Sequence, residues 1–474
     1  MLLALALSSG EARSQSTLTA AQTQADFDVL RKSLEEAHGG LYRFAGKAET
    51  DRRFDAFRAR LDRDMSQRDF ISFIAEVVAD ARDGHARLEY DGATNAALAA
   101  AALFPLRVSL EGERLIVLSN GTAADSVIRP GMELVTINGY SARDIIGNIL
   151  PKISGDGFIE TGKRARLASR FAEYYWLFAD SSSTYALVAR DASGKQVTVT
   201  LSGVLSSERE RNSNPVNARI QHSLAELRGE DANISLTYTL DSAIARLRIR
   251  SFGGARFTSE LDSVFGIVRE KGTKAMILDL RGNGGGVDEY GAFLVSRFVT
   301  RPFRYFDRIH LTSISPSFAT WKPDTFVQMR DGTTPDPSGG YLVKPSLHTG
   351  VGEQKPAERP FTGELFVLTD GRTFSTSADV TATLHNMKRA TFVGEETGGG
   401  YEGNTSGLNA LIVLPNSHLQ LKIMMYEYFN AVKPPMRGRG TIPDHPVALR
   451  VEDMLSGIDT QMQRAEALAR SKVR

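Results

Sequence analysis

The sequence of 474 residues contains no cysteine. Disulfide bonds, thiolate zinc sites and a cysteine nucleophile are therefore excluded. An excess of charge of either sign is also lacking, because 57 basic side chains are matched by 56 acidic ones, for a net charge of +1. Such a balance gives no electrostatic basis for binding nucleic acid or an anionic membrane surface.

Long apolar runs are lacking as well. No stretch approaches the ~18 consecutive apolar residues that a spanning helix needs, so no stable membrane insertion is expected. The opening letters, MLLALALSSGEARSQS, combine a short apolar run with small and polar residues. This pattern is typical of the end of a secretory signal, and the alternative is a frayed terminus. We interpret residues 1–19 as a signal-peptide remnant and expect a secreted or periplasmic protein of the bacterial cell envelope.

The periodicity of apolar residues divides the rest of the chain. Phe and Leu recur at three- and four-residue spacing in residues 20–99, which predicts a helical domain. Short alternating runs predict a β-rich domain over 100–203, and the polar stretch SSERERNSNPVN predicts a linker over 204–233. Strands and helices alternate over 234–450, and 451–474 predicts a closing helix. The fold class indicated is multidomain α/β.

A strand followed by a glycine-rich turn stands out within MILDLRGNGGG, residues 276–286. The third glycine of a dinucleotide-binding fingerprint would fall at Val287, and no Gly-Lys-Ser/Thr follows, so no nucleotide cofactor is predicted. Bare backbone N–H groups in such a turn also suit an oxyanion hole, which stabilises the charge that develops in acyl transfer. The alternative is a tight corner with no chemistry.

A nucleophile is offered by LFVLTDGRTFSTSADV, which predicts a strand, a turn and Ser375 at the start of a helix. The N-terminus of a helix stabilises a developing anion, and the amide of Thr376 would point at the same oxygen. Serine at this place is more often a helix N-cap, and that alternative applies to Ser375 and to Ser377.

A serine nucleophile needs a base, and eight histidines are available. His385 lies ten residues further along the same predicted helix, which places it about 15 Å away. His85 lies in ARDGHARLEY, directly after a helix that ends at Asp-Gly. The glycine break directs its imidazole away from that helix, although histidines in such settings are commonly structural.

Taken together, ILDLRGNGGG, LTDGRTFSTSADVTATLHNMKRATFVGEETGGG and GRGTIPDHPV resemble, in order and spacing, the core of the S41 serine peptidases. This family comprises the C-terminal processing, or tail-specific, peptidases and the related tricorn proteases. FISFIAEVVADARDGHARL is similar to its N-terminal helical region, and IRPGMELVTINGYSARDI is similar to part of a PDZ domain. The resemblance implies a ClpP/crotonase-like α/β peptidase core over 234–450 and a PDZ-like domain over 100–203.

The resemblance also assigns roles to the residues of the serine motif and the glycine turn. Ser375 matches the family's nucleophile. The amides of Thr376 and Gly285 match its oxyanion hole. The Ser–Lys branch of the family carries lysine about 25 residues beyond the serine, where this chain has Gly400. The departure puts a lysine base in doubt and favours the tricorn-like branch, in which the histidine of Asp-Gly-His, here His85, is the base.

The acid that would orient His85 is not identifiable, because Arg437 occupies the region where the branch carries it. Glu427, in YEYFN, and Asp83, beside His85, are the two candidates. Loss of that acid would lower the rate without removing the contribution of the oxyanion hole.

The function implied is a serine endopeptidase that hydrolyses polypeptides without a cofactor or metal. Its PDZ-like domain would recognise C-terminal tails by strand addition. One alternative is a catalytically degenerate S41 fold that binds a ligand or peptide. Another is an esterase that uses the same serine, although the G-x-S-x-G pattern of esterases is absent around Ser375.

Overall fold

A computed structural model of the chain describes residues 17–123, 127–211, 213–228, 232–239, 243–319 and 323–473. The predicted signal remnant, residues 1–19, falls almost entirely outside these ranges. Among the helices in them, none combines the length and the apolar character needed to cross a bilayer.

Helices and strands are numbered in chain order. The α-helices are α1 (Ala20–Ala37), α2 (Lys47–Ala59), α3 (Gln67–Asp80), α4 (Gly92–Ala100), α5 (Ala142–Ile149), α6 (Glu160–Ser169), α7 (Phe171–Phe178), α8 (Ser206–Arg211), α9 (Ala218–Arg228), α10 (Phe257–Glu270), α11 (Asp288–Ser296), α12 (Pro323–Asp331), α13 (Thr376–Asn386), α14 (Val451–Leu455) and α15 (Thr460–Val473). The strands are β1 (Thr17–Leu18), β2 (Met65–Ser66), β3 (Arg87–Glu89), β4 (Leu106–Glu111), β5 (Arg114–Asn120), β6 (Glu133–Ile137), β7 (Tyr140–Ser141), β8 (Thr184–Arg190), β9 (Gln196–Ser202), β10 (Ile234–Tyr238), β11 (Ile244–Ile249), β12 (Ala275–Asp279), β13 (Phe303–Arg304), β14 (Phe306–Leu311), β15 (Thr333–Pro335), β16 (Tyr341–Val343), β17 (Glu353–Gln354), β18 (Glu364–Thr369), β19 (Thr391–Gly394), β20 (Thr405–Val413), β21 (Gln420–Asn430) and β22 (His445–Pro446).

The N-terminal region is helical, as its periodicity predicts. The first helix, α1, begins with a capping box in which the Thr19 hydroxyl and the Gln22 side chain each accept the other residue's backbone N–H. The third, α3, is capped by Ser66, whose hydroxyl accepts the N–H of Asp69. Almost every apolar residue of α3 is buried, so this helix anchors the turn that carries His85.

The central region forms a β-sheet in the order β4-β5-β6-β8-β9, with β7 paired to β6. The helices α5, α6 and α7 lie between β7 and β8 in the chain, and α6 packs against β4, at the edge of the sheet. The predicted β-rich character of residues 100–203 is therefore present, together with more helix than the short alternating runs indicated.

The segment 204–233, predicted as a polar linker, contains the helices α8 and α9 in its described part. The amide side chain of Asn217 accepts the backbone N–H of Asn120 (2.8 Å) and donates to its carbonyl (2.7 Å). Helix α9 also packs against α14. The linker prediction is corrected here, because tertiary contacts of this kind stabilise helices that the local composition does not favour.

The core region is organised around a sheet in the order β10-β11-β12-β18-β19-β22. All pairs from β11 to β22 are parallel, and β10 is antiparallel. Every residue of β12 is buried, as expected for a strand covered on both faces. Met276 and Leu278 pack in one apolar cluster with residues of α10, α11 and α13, and Ile277 packs against α15 on the other face.

A second, antiparallel sheet has the order β15-β16-β14-β21-β20, and β3 also pairs with β21. Arg87 to Glu89 align with Lys422 to Gln420, so the strand that follows His85 is joined directly to the core region. One large apolar cluster contains residues of α1 and α3, of the central sheet and of β20 and β21. The helical, central and core regions therefore share a hydrophobic core.

Candidate active site

Ser375 lies at the N-terminus of α13 with φ 56° and ψ −135°, a backbone conformation that residues other than glycine rarely adopt. Its side chain is half-buried. Ser377, the other serine of the motif, is fully buried, and its hydroxyl has no hydrogen-bond partner within the described chain. Of the two serines, Ser375 is therefore the one that a substrate can reach.

The glycine turn approaches Ser375 so closely that a side chain is excluded. Gly285 has φ +97°, and a Cβ atom built on it would lie 2.6 Å from the Cβ of Ser375 and 2.9 Å from the amide nitrogen of Thr376. Contacts this short do not occur between real side chains, so glycine is required at this position. The turn at the end of β12 and the start of α13 thus form one surface, as the sequence predicts.

The free amides in this surface differ in part from the predicted ones. The N–H of Gly285 donates to Oδ1 of Asn283 (2.9 Å), so this predicted donor is already engaged. The N–H groups of Thr376 and Gly286 have no acceptor among the described residues. The amide of Gly284 is open in the same sense, so Thr376, Gly284 and Gly286 offer the open amides of this surface in this conformation.

The side chain of Thr376 fixes one of these amides. Its hydroxyl lies 2.8 Å from Oδ1 of Asp288 and 2.9 Å from the carbonyl oxygen of Gly286, and thereby joins the helix to the glycine turn. Asp288 in turn accepts a hydrogen bond from Nε2 of His348 (3.2 Å), because Nδ1 of His348 accepts the N–H of Gly350. These contacts hold the amides of Thr376 and Gly286 in a fixed relation.

Arg281, at the start of the glycine turn, is clamped on two sides. Its guanidinium donates to both oxygens of Asp279 (2.9 and 2.8 Å) and to both oxygens of Asp459 (2.8 Å each). Gln461 of α15 accepts a further bond from it at 2.9 Å. The bidentate geometry makes these the strong kind of charged hydrogen bond.

His85 reaches this surface because β3 pairs with β21. Its imidazole packs on the ring of Phe374, with ring centroids 4.5 Å apart and an angle of 34° between the planes. Phe374 directly precedes Ser375, so the imidazole of the predicted base packs on the residue next to the predicted nucleophile. Nδ1 of His85 is buried and has no hydrogen-bond partner within the described chain.

Two buried carboxylates flank His85. Oδ1 of Asp83 lies 3.9 Å from Nδ1 of His85 and accepts the backbone N–H of His85 at 2.7 Å, while its other oxygen accepts Nε2–H of His38 at 3.1 Å. Asp156, from the loop between α5 and α6, accepts the N–H groups of Gly84 (2.7 Å) and Gly400 (3.1 Å).

Asp156 was not among the residues predicted for this site. Its stretch, SGDGF, reads as an ordinary glycine-flanked turn, and only long-range packing places it against the Asp-Gly-His turn. The same packing explains Gly400, which donates its N–H to Asp156. A Cβ on Gly400 would lie 2.4 Å from the carbonyl oxygen of Gly403, so a lysine side chain has no room at this position.

Burial lowers the pKa of His85, and the carboxylates of Asp156 and Asp83 oppose this shift. Burial raises the pKa of Asp156, and the nearby His85 opposes this shift. Burial also acts to raise the pKa of Asp83, but the hydrogen bond from His38 holds it below its ordinary value. The lowered pKa favours a neutral imidazole at His85, and the lowered pKa of Asp83 favours its ionised form. Ionised Asp156, by contrast, is disfavoured by burial. A neutral imidazole is the form that can accept a proton.

Glu427, the other acid proposed from the sequence, has different partners. It forms an ion pair with Arg43 (2.9 Å), and its second oxygen lies 3.7 Å from Nδ1 of His310. Its side chain is therefore engaged away from His85, and no contact supports it as the orienting acid.

The candidate ligand atoms of Asp83, His85 and Asp156 lie within 4.8 Å of one another, a spacing that a metal ion could bridge. The two carboxylates, however, already accept hydrogen bonds from His38 and from three backbone N–H groups. These bonds account for the cluster without an ion.

Residues 243–447 match the model of peptidase family S41. Over this segment the chain resembles peptidase family S41. The match supports a peptidase, which is a hydrolase that acts on polypeptide, and the serine type is a property of the family. The matched segment contains Ser375 and the glycine turn, but it contains neither His85 nor Asp156. No curated protein sequence matches the chain.

Solved structures share the fold over nearly the whole chain. Mature CPAF is 14% identical with a TM-score of 0.65, covering 95% of this chain and 96% of its own. Mature CPAF complexed with lactacystin is 14% identical with a TM-score of 0.66, covering 95% and 98%. A putative peptidase from Parabacteroides merdae is 16% identical with a TM-score of 0.50, covering 95% and 97%. At these identities the similarity establishes the fold alone.

Proposed function

We propose that this chain is an S41-family serine endopeptidase in which Ser375 is the nucleophile and His85 is the base. The observation that carries the proposal is the strained, accessible Ser375 at a helix N-terminus, in contact with Gly285, a position of the turn at which only glycine fits. Such strain is retained where the surrounding structure enforces it, and it is concentrated at functional sites.

In the proposed mechanism, His85 takes the hydroxyl proton as Ser375 attacks the substrate carbonyl, and it later returns that proton to the leaving amine. The N–H of Thr376 and one N–H of the glycine turn stabilise the oxyanion. Asp156 serves as the acid that stabilises the imidazolium formed in this step. The absence of a hydrogen bond to Nδ1 before substrate binds is compatible with catalysis, because such bonds often tighten only in the reactive complex.

Recognition of C-terminal tails by the central region is a further part of the proposal. A groove of about 520 Å³ lies between the end of β4 and α6. Because β4 is the edge strand of its sheet, it is the place where an extended peptide could add as a strand. Arg164 crosses the groove and donates to the carbonyl of Gly112 (2.8 Å), so a peptide would have to displace this contact. A cell-envelope or extracellular location fits the proposed signal remnant.

Replacement of the nucleophile tests the proposal. Ser375→Ala is expected to lower kcat on peptide substrates by ~10⁶-fold and to abolish labelling by a fluorophosphonate probe. Its free energy of unfolding should change by about 1 kcal/mol or less, since a half-exposed serine contributes little packing. Ser377→Ala, the matched control two residues away, should remain active and labelled.

Three outcomes would change the assignment. Peptidase activity in Ser375→Ala together with an inactive Ser377→Ala would move the nucleophile. A wild-type protein that neither cleaves peptides nor reacts with the probe would be a degenerate binding protein. Hydrolysis of nitrophenyl esters without hydrolysis of any member of a peptide library would make the chain an esterase.

A further inference from the structure

A second cavity lies directly behind the Asp-Gly-His turn. It has a volume of about 350 Å³ and opens between α3, β3, α6 and α7. Ala86, the residue after His85, lines it, and Val78, Leu88 and Phe178 form an apolar wall. This volume and lining are typical of a site for a small, partly apolar ligand.

The cavity is strongly basic. Its lining includes Arg87, Lys152, Arg166 and Arg170, and it includes no acidic side chain. Among these four, Arg170 is the one with an ion-pair partner in the described ranges, Glu173 at 2.5 Å. Within the described chain, Lys152 donates to oxygens of Asn148, and Arg87 has no carboxylate partner.

The positive charge in this cavity is costly to the free protein. Burial lowers the pKa of Lys152 and of Arg166, and the carboxylates of Glu76 and of Asp156 oppose these two shifts without cancelling them. The Arg166 guanidinium donates to two carbonyl oxygens, neither of which carries a full negative charge. A bound anion would supply that charge and would be held more strongly than on an exposed surface.

Arg166 also connects the cavity to the candidate active site. Its guanidinium donates to the carbonyl of Gly84 (2.7 Å), which precedes His85, and to the carbonyl of Ser154 (2.9 Å), two residues before Asp156. The same group stacks 5.0 Å from the ring centroid of Phe374. One side chain therefore lines the cavity and supports the base, the acid and the ring beside the nucleophile.

We propose that this cavity, lined by Arg87, Lys152 and Arg166, binds a carboxylate attached to an apolar group, such as the free C-terminal residue of a peptide. The unpaired cations would bind the carboxylate, and the wall of Val78, Leu88 and Phe178 would bind the apolar group. A bare inorganic anion would leave that wall uncovered. The effect of binding on activity, described next, rests on the assignment of His85 as the base, whereas the binding itself does not.

Binding should change the protonation of His85. Its charged neighbours are Asp83 on its own turn, Asp156 from the loop before α6, Arg87 and Arg166, while Phe374 on the core side is uncharged. Arg166 and Arg87 act to lower the pKa of His85. An anion between these two cations offsets their effect, so the pKa of His85 rises and the acid limb of kcat/KM moves to higher pH.

Calorimetry on the Ser375→Ala protein tests binding without turnover. N-acetylleucine should bind, and N-acetylleucinamide, which has the same apolar group without the charge, should bind at least ~10-fold more weakly. Arg87→Gln and, separately, Lys152→Gln should each weaken binding of N-acetylleucine by ~5-fold or more. Arg143→Gln, which removes an exposed charge outside the cavity, should leave binding unchanged.

Equal binding of the acid and the amide, or no binding of either, would overturn the proposal. Inorganic phosphate bound as tightly as N-acetylleucine would show a general anion site and overturn the assignment of an apolar carboxylate. In the active protein, saturating N-acetylleucine should move the acid limb of kcat/KM to higher pH. Arg87→Gln should move that limb to higher pH in the absence of the ligand. In this variant, added N-acetylleucine should cause no further shift. If calorimetry succeeds while Ser375→Ala stays active, the cavity stands and the proposed nucleophile fails.

Discussion

The nucleophile side and the base side of the candidate active site are assembled in different ways. On the nucleophile side, Ser375 and the glycine turn follow β18 and β12, which are adjacent parallel strands of one sheet. Their chemistry lies in short stretches of sequence whose strand–turn–helix pattern fixes the geometry. The carboxyl ends of neighbouring parallel strands meet at the same sheet edge, so two such motifs are brought together by topology alone.

On the base side, no short stretch is sufficient. His85 depends on the pairing of β3 with β21, and Asp156 depends on a loop of the central region that touches Gly84 and Gly400. Neither residue lies in the segment that matches the family. The segment that matches peptidase family S41 would therefore supply the nucleophile and the oxyanion hole of the candidate site, whereas the proton-transfer half would depend on packing between regions.

The largest expected effect on the base side comes from His85→Ala, which should lower kcat/KM by ~10³-fold or more while the fold persists. Because burial lowers the pKa of His85, the wild-type activity should rise along an acid limb that lies below the ordinary imidazole pKa of ~6.5. Lys422→Ala tests the alternative of a lysine base, and because Lys422 pairs with Glu89 of β3, thermal unfolding of this variant is measured beside its kinetics. Loss of activity in Lys422→Ala, with His85→Ala near the wild-type rate, would reject the histidine base.

Asp156→Asn should have the next largest effect and lower kcat by ~10²–10³-fold, because the imidazolium would lose its carboxylate. The decrease in kcat for Asp83→Asn should be at least ~10-fold smaller than that for Asp156→Asn, because Asp83 is already bonded to His38 and to the backbone N–H of His85. Steady-state kinetics of both variants, with thermal unfolding as the check on folding, measures the difference. If Asp83→Asn lowered kcat more than Asp156→Asn, Asp83 would be the orienting acid. The base and its acid would then come from one short stretch of sequence.

Gly285→Ala sharpens the comparison on the nucleophile side. The added methyl group would contact the Cβ of Ser375, and the backbone at φ +97° disfavours any side chain. We expect kcat to fall by ~10–100-fold through displacement of Ser375. Gly284→Ala is a matched control one residue away, because a Cβ there meets no atom within 4 Å. Similar rates for the two variants would show that the close approach has no catalytic consequence.

The smallest effect is expected for Asp459→Asn, which weakens the clamp on Arg281 but leaves Asp279 and Gln461 in place. The free energy of unfolding should fall by about 1–2 kcal/mol. For a chain of this size each kcal/mol corresponds to about 2–4 °C in Tm. Activity should fall only a few-fold. A loss of activity as large as that of Gly285→Ala would mean that α15 also determines the geometry of the turn.

The contrast also explains what the sequence alone could predict. The buried strand AMILD, the glycine turn and the helix after Ser375 were predictable, because hydrophobic runs and glycine act locally. The engagement of the Gly285 amide by Asn283 was not, because it depends on a side-chain rotamer. Asp156 carried no local signal, and the helices of 204–233 form through contacts with Asn120 and α14 that composition does not encode. The predicted orienting acid Glu427 pairs with Arg43, which lies far away in sequence, and no local signal indicates that pairing.

The pairing of β3 with β21 also has a consequence for the timing of synthesis. A ribosome adding about 5–20 residues per second completes β21 many seconds after β3 has emerged. Until Gln420–Lys422 is available, Arg87–Glu89 has no strand to join, and His85 has no fixed position. The position of the proposed base therefore depends on a strand that is made later than the proposed nucleophile. A growing chain that already contains Ser375 would thus carry a proposed nucleophile whose base is not yet in place.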